Sequence, residues 1–246
     1  MRIYIHIHNI MPTTSHLLAL FLITIGPLSA FLERPFLRSN PSSKSKINFY
    51  RLGIATQWLT TAAAIYLVGW AALFHFPGGA PIHAQAIRLS LTAILTAFFF
   101  LGMLPFFQSL RSMAVRQAVG RAVHRAAGDF PAILPANPRE RRYFAALSIT
   151  AGICEETLFR GFLIPYLTVS LFHLPLWLGV LISSFIFGLN HLYQGLKGLR
   201  STAIAGLAFG TLFLLTGSLL LPMLLHAAID LQVNFPLSAL PDPEKT

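Results

Sequence analysis

Charge is scarce in this chain, since Asp, Glu, Lys and Arg make up 11% of its 246 residues and only 8 of those are acidic. Hydrophobic residues make up 55%, and the mean hydropathy is +0.66. That balance excludes an ordinary soluble domain. Cysteine is nearly absent as well, and the single Cys154 excludes an intrachain disulfide.

The sequence contains several long runs of apolar residues. A helix needs about 20 residues to cross a hydrocarbon core of ~30 Å. The sequence therefore predicts an all-α, polytopic membrane helix bundle of about seven transmembrane helices, with six to eight as the range. The predicted spans are 16–37, 54–76, 87–108, 143–165, 172–193, 201–216 and 218–236. The last two are short and separated only by residues 216–218, so a re-entrant hairpin is an alternative there.

The basic residues predict orientation. The basic residues behind the formal net charge of +10 are spread over the loops after the first, third and fifth spans, which are therefore expected on the cytoplasmic side of the membrane. Because the charge is divided among separate loops, it indicates topology in a lipid bilayer and no nucleic-acid partner. Residues 115–130 form an amphipathic pattern that predicts an interfacial helix, with a solvated loop as the alternative. Asn137, Pro138 and Glu140 predict that the fourth span begins near residue 138.

Three acidic residues fall inside predicted spans, apart from Glu33 near the end of the first span. A carboxylate there costs at least about 2.5 kcal/mol, so each needs a partner or a function. Glu156 and Arg160 are four residues apart and are predicted to form an ion pair. Glu155 points about 100° away from Glu156 on the same helix, which leaves it free to face a cavity. The third acid is Asp230.

Two histidines accompany these acids. His191 ends the fifth span, and His226 lies four residues before Asp230 on one helix face. A single intramembrane histidine is most simply bonded to a backbone carbonyl, but several polar groups in three spans predict a polar functional cavity. Glu155, His191 and His226 could also form a two-histidine, one-carboxylate metal site, which stays open as an alternative. Cys154 is a poor candidate nucleophile beside two carboxylates.

These residues carry a family resemblance. Glu155-Glu156-x-x-x-Arg160, Phe187-x-x-x-His191 and His226-x-x-x-Asp230 stand in the order and approximate spacing of three motifs. The pattern resembles the type II CAAX prenyl endopeptidase family, whose bacterial branch includes bacteriocin-processing and immunity-associated proteins. The resemblance covers residues 138–236, which form the predicted CAAX-protease-like core. N-terminal membrane spans and a basic interfacial loop precede this core at 1–137, and a polar tail follows it at 237–246.

The resemblance implies intramembrane hydrolysis of a peptide bond in a membrane-embedded or lipidated peptide or protein. It assigns water activation to Glu155 and His191 and oxyanion stabilisation to His226 and position 230, without a metal or other cofactor. Asp230 departs from the asparagine of the prenyl-protein processing members, and could hold His226 as a protonated donor or be protonated itself. Two alternatives stay open, a non-catalytic immunity or scaffold protein and a metal-dependent membrane hydrolase.

Overall fold

The structure is a computed structural model that describes residues 14–38, 41–77, 80, 84–127 and 134–241. The described chain is 85% helical without β-strands, which confirms the predicted all-α class. The end of the predicted tail, 242–246, and part of the predicted basic loop, 128–133, lie outside the described residues.

The helices follow one another with short connections. In chain order they are α1 (Thr14–Leu20), α2 (Gly26–Arg38), α3 (Ser43–Val68), α4 (Trp70–Phe74), α5 (Gln85–Gly102), α6 (Leu104–Ser109), α7 (Met113–Ala126), α8 (Pro138–Glu156), α9 (Leu176–Asn190), α10 (Gly195–Thr216), α11 (Leu220–Leu231) and α12 (Asn234–Leu237). The π-helical turn Phe21–Ile25 joins α1 to α2, and α8 continues into the π-helical segments Thr157–Leu163 and Tyr166–Leu171. A 3₁₀ turn, Leu192–Gln194, precedes α10.

Each of the seven predicted spans overlaps a helix, but the helices differ in how apolar they are. Within the described residues, 4 helical stretches are long and apolar enough to cross a membrane. They are Thr14–Glu33, Gln85–Gly102, Leu192–Thr216 and Leu220–Leu237, with Leu176–Asn190 as a shorter apolar helix. The helices α3 and α8 fall outside this set because they carry more polar residues, among them Gln57, Glu155 and Glu156.

The predicted start of the fourth span is confirmed at α8. Asn137 caps the helix, because its side chain accepts a hydrogen bond of 2.9 Å from the Glu140 backbone N–H, and Pro138 occupies the first turn. Glu140 Oε1 in turn accepts a hydrogen bond of 3.0 Å from the Asn137 side-chain amide, and Glu140 Oε2 lies 3.4 Å from Lys46 Nζ of α3. This buried cluster fixes the first turn of α8 against the first turn of α3.

The basic loop contains the predicted helix, α7, and α7 packs against α12. A Cβ atom at Gly120 would lie 2.6 Å from the Pro236 carbonyl oxygen, so only glycine permits the observed approach. The Arg116 guanidinium lies 3.8 Å from the centre of the Phe235 ring. The amphipathic helix is therefore confirmed as a helix, while its position at a membrane surface stays a prediction.

Close helix contacts bring the polar residues of the core together. A Cβ at Gly152 of α8 would lie 2.7 Å from the Ala227 backbone nitrogen of α11, so these two backbones nearly touch. A Cβ at Gly206 of α10 would lie 3.1 Å from Ser184 of α9. Glycines thus let α8 approach α11 and let α10 approach α9, as small residues do at helix interfaces in membranes.

Candidate active site

The polar residues expected at the site come from three parts of the bundle and meet at one cavity. Glu155 and Glu156 end α8, Arg160 lies in the π-helical turn that follows, and His191 comes directly after α9. His226 and Asp230 lie on α11. The cavity has a volume of about 360 Å³, and four of the six residues line it, namely Glu155, His191, His226 and Asp230. A π-helical segment beside such a cavity is common at functional sites.

Glu155 presents one oxygen to a neighbouring helix and the other to the histidines. Its Oε1 accepts a hydrogen bond of 3.0 Å from Gln57 Nε2 of α3. Its Oε2 is buried and has no hydrogen-bond partner within the described part of the chain. That oxygen lies 3.9 Å from His191 Nε2 and 3.8 Å from His226 Nε2. Oε2 is therefore the carboxylate atom available for chemistry.

The His191 ring is oriented by its own helix. Nδ1 lies 2.8 Å from the Phe187 carbonyl oxygen, one turn earlier. A carbonyl can only accept, so Nδ1 carries the hydrogen and Nε2 of the neutral ring keeps its lone pair toward Glu155. Glu155 and His191 thus expose two proton acceptors to the same small space.

Glu156 turns away from the cavity and holds two other side chains. Its Oε1 accepts a hydrogen bond of 2.9 Å from Arg160 Nη1 and lies 2.8 Å from His226 Nδ1. Asp230 Oδ2, by contrast, is 3.7 Å from His226 Nε2, beyond hydrogen-bond distance. The carboxylate that orients the His226 ring is therefore Glu156 rather than Asp230, a role that the sequence did not indicate.

Arg160 is buried among aromatic rings. Its side chain is 1% exposed, and the guanidinium carbon lies 4.4 Å from the Phe187 ring centre and 5.5 Å from that of Phe209. Gly206 leaves room for it, since a Cβ there would lie 3.2 Å from Nη2. Phe209 also stacks on the His226 ring, with centroids 5.1 Å apart and planes at 15°. These rings give Arg160 cation–π contacts and limit the movement of His226.

Residues 139–232 match the model of the Rce1-like type II CAAX prenyl endopeptidases. A curated protein of Escherichia coli, described as an uncharacterized 24.3 kDa protein, is 32% identical over 161 residues, which cover 58% of this chain and 74% of that protein. This chain belongs to the Rce1-like family. No solved structure matches the chain.

The Rce1-like match contains all seven residues of the three motifs but not Gln57. Gln57 was missed because it lies outside those motifs; its only signal was an amide inside the predicted span 54–76. The contact between Glu156 and His226 was missed because the two residues are 70 positions apart. No group of three or more His, Cys, Asp and Glu side chains is placed to hold a metal ion in the ranges that the structure describes.

The arrangement suits proton transfer beside a polarised carbonyl group. The cavity is lined by the carboxylate of Glu155 and the imidazole of His191, and also by His226 and Asp230. Apolar side chains such as Phe144, Leu147 and Ile229 line the remaining wall together with hydroxyl and amide groups. Asp230 has the most exposed side chain of the four, at 39% against 7–15% for His226, His191 and Glu155.

Proposed function

We propose that this chain is an intramembrane endopeptidase that hydrolyses a peptide bond of a membrane-embedded or lipidated peptide or protein in a bacterial cell membrane. The observation that carries the proposal is the distance of 3.9 Å between Glu155 Oε2 and His191 Nε2. One water molecule with hydrogen bonds of about 2.8 Å can bridge two acceptors at that separation. Membership of an endopeptidase family supports the same chemistry.

The reaction begins with the bridging water. Glu155 Oε2 accepts one of its protons while the oxygen adds to the peptide carbonyl carbon, and His191 Nε2 orients the water by accepting a hydrogen bond from its second hydrogen. The carbonyl π electrons move onto the carbonyl oxygen and form an oxyanion. When the intermediate collapses, the C–N bond breaks and the leaving nitrogen takes the proton from Glu155. The products are a carboxylic acid and an amine.

His226 is the proposed oxyanion donor. Its Nδ1 is bonded to Glu156, so Nε2 can donate only when both ring nitrogens carry protons. The carboxylates of Glu155, Glu156 and Asp230 surround the ring at 2.8 to 3.8 Å and balance that positive charge. A donor aimed at a developing oxyanion contributes roughly 3 kcal/mol. An ionised Asp230 cannot donate, so its contribution is to the charge of His226.

The test is a comparison of membrane peptides. Cells that produce the parent protein and cells that produce Glu155→Gln at equal membrane levels are compared by mass spectrometry of their membrane peptides. We expect new peptide ends only with the parent, and loss of the same products with His191→Ala. A synthetic peptide spanning the cleaved bond, added to purified protein, then gives kcat and KM. Normal turnover by Glu155→Gln would overturn the mechanism.

A metal-dependent hydrolase is the second candidate on residue types alone, since Glu155, His191 and His226 offer one carboxylate and two imidazoles. Their present arrangement is not one of the groups placed to hold a metal ion among the residues described. Metal analysis of the purified protein, together with turnover before and after a chelator, distinguishes the two chemistries. Loss of turnover on chelation and its recovery with one metal ion would favour this candidate.

A cellular phenotype that survives Glu155→Gln would favour a non-catalytic immunity or scaffold role.

A further inference from the structure

We propose that Gln57 of α3 is a positioning residue for Glu155, and that its amide N–H holds Oε1 so that Oε2 is presented to the attacking water. The inference rests on the proposed function. Gln57 lies in the N-terminal part of the chain, outside the residues that match the family. The site would therefore depend on a helix that the motifs do not contain.

The contact itself is well defined. Gln57 Nε2 lies 3.0 Å from Glu155 Oε1, and Gln57 lines the same cavity as Glu155. The amide nitrogen must face the carboxylate, because the amide oxygen would repel it. A carboxylate can rotate about its last C–C bond, and a bond to one of its oxygens limits that rotation. With Oε1 held in this way, Oε2 keeps its position opposite His191 and His226.

Packing does not explain an amide at this position. Gln57 Oε1 is buried, and it has no hydrogen-bond partner among the residues described. A buried acceptor in that state is unfavourable, and a leucine of similar size would avoid the penalty. Other polar contacts already join α3 to α8. Trp58 Nε1 donates a hydrogen bond of 3.2 Å to Thr150 Oγ1, and Lys46 forms an ion pair with Glu140. What Gln57 adds is its single bond to the catalytic carboxylate.

The first measurement separates positioning from stability. In Gln57→Leu we expect kcat on the identified peptide to fall by about 10- to 100-fold with little change in KM, the usual effect of a misplaced catalytic group. The melting temperature should change little, because loss of the unpaired Gln57 oxygen offsets loss of the hydrogen bond to Glu155 Oε1. Trp58→Phe is the matched control, since it removes the neighbouring bond between the same two helices and should leave kcat unchanged.

The second measurement uses a conservative variant. In Gln57→Glu a protonated side chain keeps an O–H donor for Glu155, whereas an ionised one has only acceptors. The kcat of this variant should approach that of the parent at acid pH and fall away from it as pH rises. The ratio of kcat in Gln57→Leu to that in the parent should instead rise with pH, because Glu155 without this donor ionises only at higher pH. A purely structural role would give no such divergence between the two variants.

The third measurement needs no substrate. Dicyclohexylcarbodiimide modifies protonated carboxyl groups in apolar surroundings, and tandem mass spectrometry distinguishes modification of Glu155 from that of Glu156. Loss of the Gln57 donor removes a bond that favours the ionised carboxylate, so labelling of Glu155 should persist to higher pH in Gln57→Leu than in the parent or in Trp58→Phe.

The three measurements keep the two proposals distinguishable. A labelling shift in a protein that cleaves nothing would support the bond between Gln57 and Glu155 and reject the endopeptidase. Unchanged labelling, or an unchanged kcat in Gln57→Leu, would overturn the positioning role and leave the endopeptidase standing.

Discussion

Removal of one charge from the buried pair of Glu156 and Arg160 is expected to cost more than removal of both. The two side chains are 0% and 1% exposed and are joined at 2.9 Å. Glu156→Gln leaves the guanidinium with aromatic faces and no counterion in direct contact. Arg160→Met leaves the carboxylate with only His226. An uncompensated buried charge costs about 3–5 kcal/mol, so each single variant should lose that much stability.

The double variant should recover most of the loss. Glu156→Gln combined with Arg160→Met removes both charges, and the new amide oxygen can still accept the bond from His226 Nδ1. Replacement of a whole buried ion pair is often neutral or stabilising. We therefore expect the double variant to be more stable than either single one, which corresponds to a coupling of several kcal/mol between the two positions.

The assay is thermal unfolding of detergent-purified protein. A loss of 3–5 kcal/mol should lower the Tm of each single variant by about 6–20 °C for a chain of this size. Lys197→Met removes an exposed cation of α10 and serves as the control with an unchanged Tm. If the loss in the double variant equals the sum of the two single losses, the side chains are not coupled and the account of this pair is wrong.

Three further predictions concern the same bundle. His226→Ala should lower kcat on the order of 10²-fold, as deletion of an oxyanion donor does, whereas Asp230→Asn should lower it modestly because Asp230 Oδ2 is 3.7 Å from the ring nitrogen; equal kcat values in the two variants would contradict this division. Gly152→Ala should reduce both Tm and kcat, because the new Cβ meets backbone at 2.7 Å, while Gly102→Ala, which meets nothing within 4 Å among the described residues, should change neither. Cysteine labels placed in 111–142 should react from the cytoplasmic side alone, and reaction from outside would reverse the orientation predicted by the basic loops.

The sequence sufficed for features that depend on one helix. Hydropathy predicted the all-α bundle, and Asn137 with Pro138 predicted where α8 begins, since capping involves residues three or four apart. The separate directions of Glu155 and Glu156 also follow from the helical rotation of about 100° per residue. Acidic residues in apolar spans predicted the cavity, because a carboxylate inside a membrane has a high free-energy cost.

Contacts between helices could not be predicted in the same way. Periodicity gives the face on which Gln57 lies, but not the residue of α8 that it meets. It also gives no reason to pair Glu156 with His226, which are 70 residues apart. Asp230 seemed the partner of His226 because the two share a helix face, and the structure gives that contact to Glu156 because α8 and α11 approach closely at Gly152.

The adjacent glutamates point in different directions and make different contacts, and this difference explains why the site extends beyond the family motifs. Glu156 is directed into the protein, where one oxygen holds both Arg160 and His226, so it is already occupied and cannot also activate water. Glu155 is directed into the cavity, and an oxygen kept free for water must be held by a group bonded to the other oxygen. Neither α9 nor α11 supplies that group; α3 does, through Gln57. The matched segment 139–232 carries the proposed base, the histidines and the ion pair, but the hydrogen bond to the other oxygen of that base comes from a helix that precedes the segment.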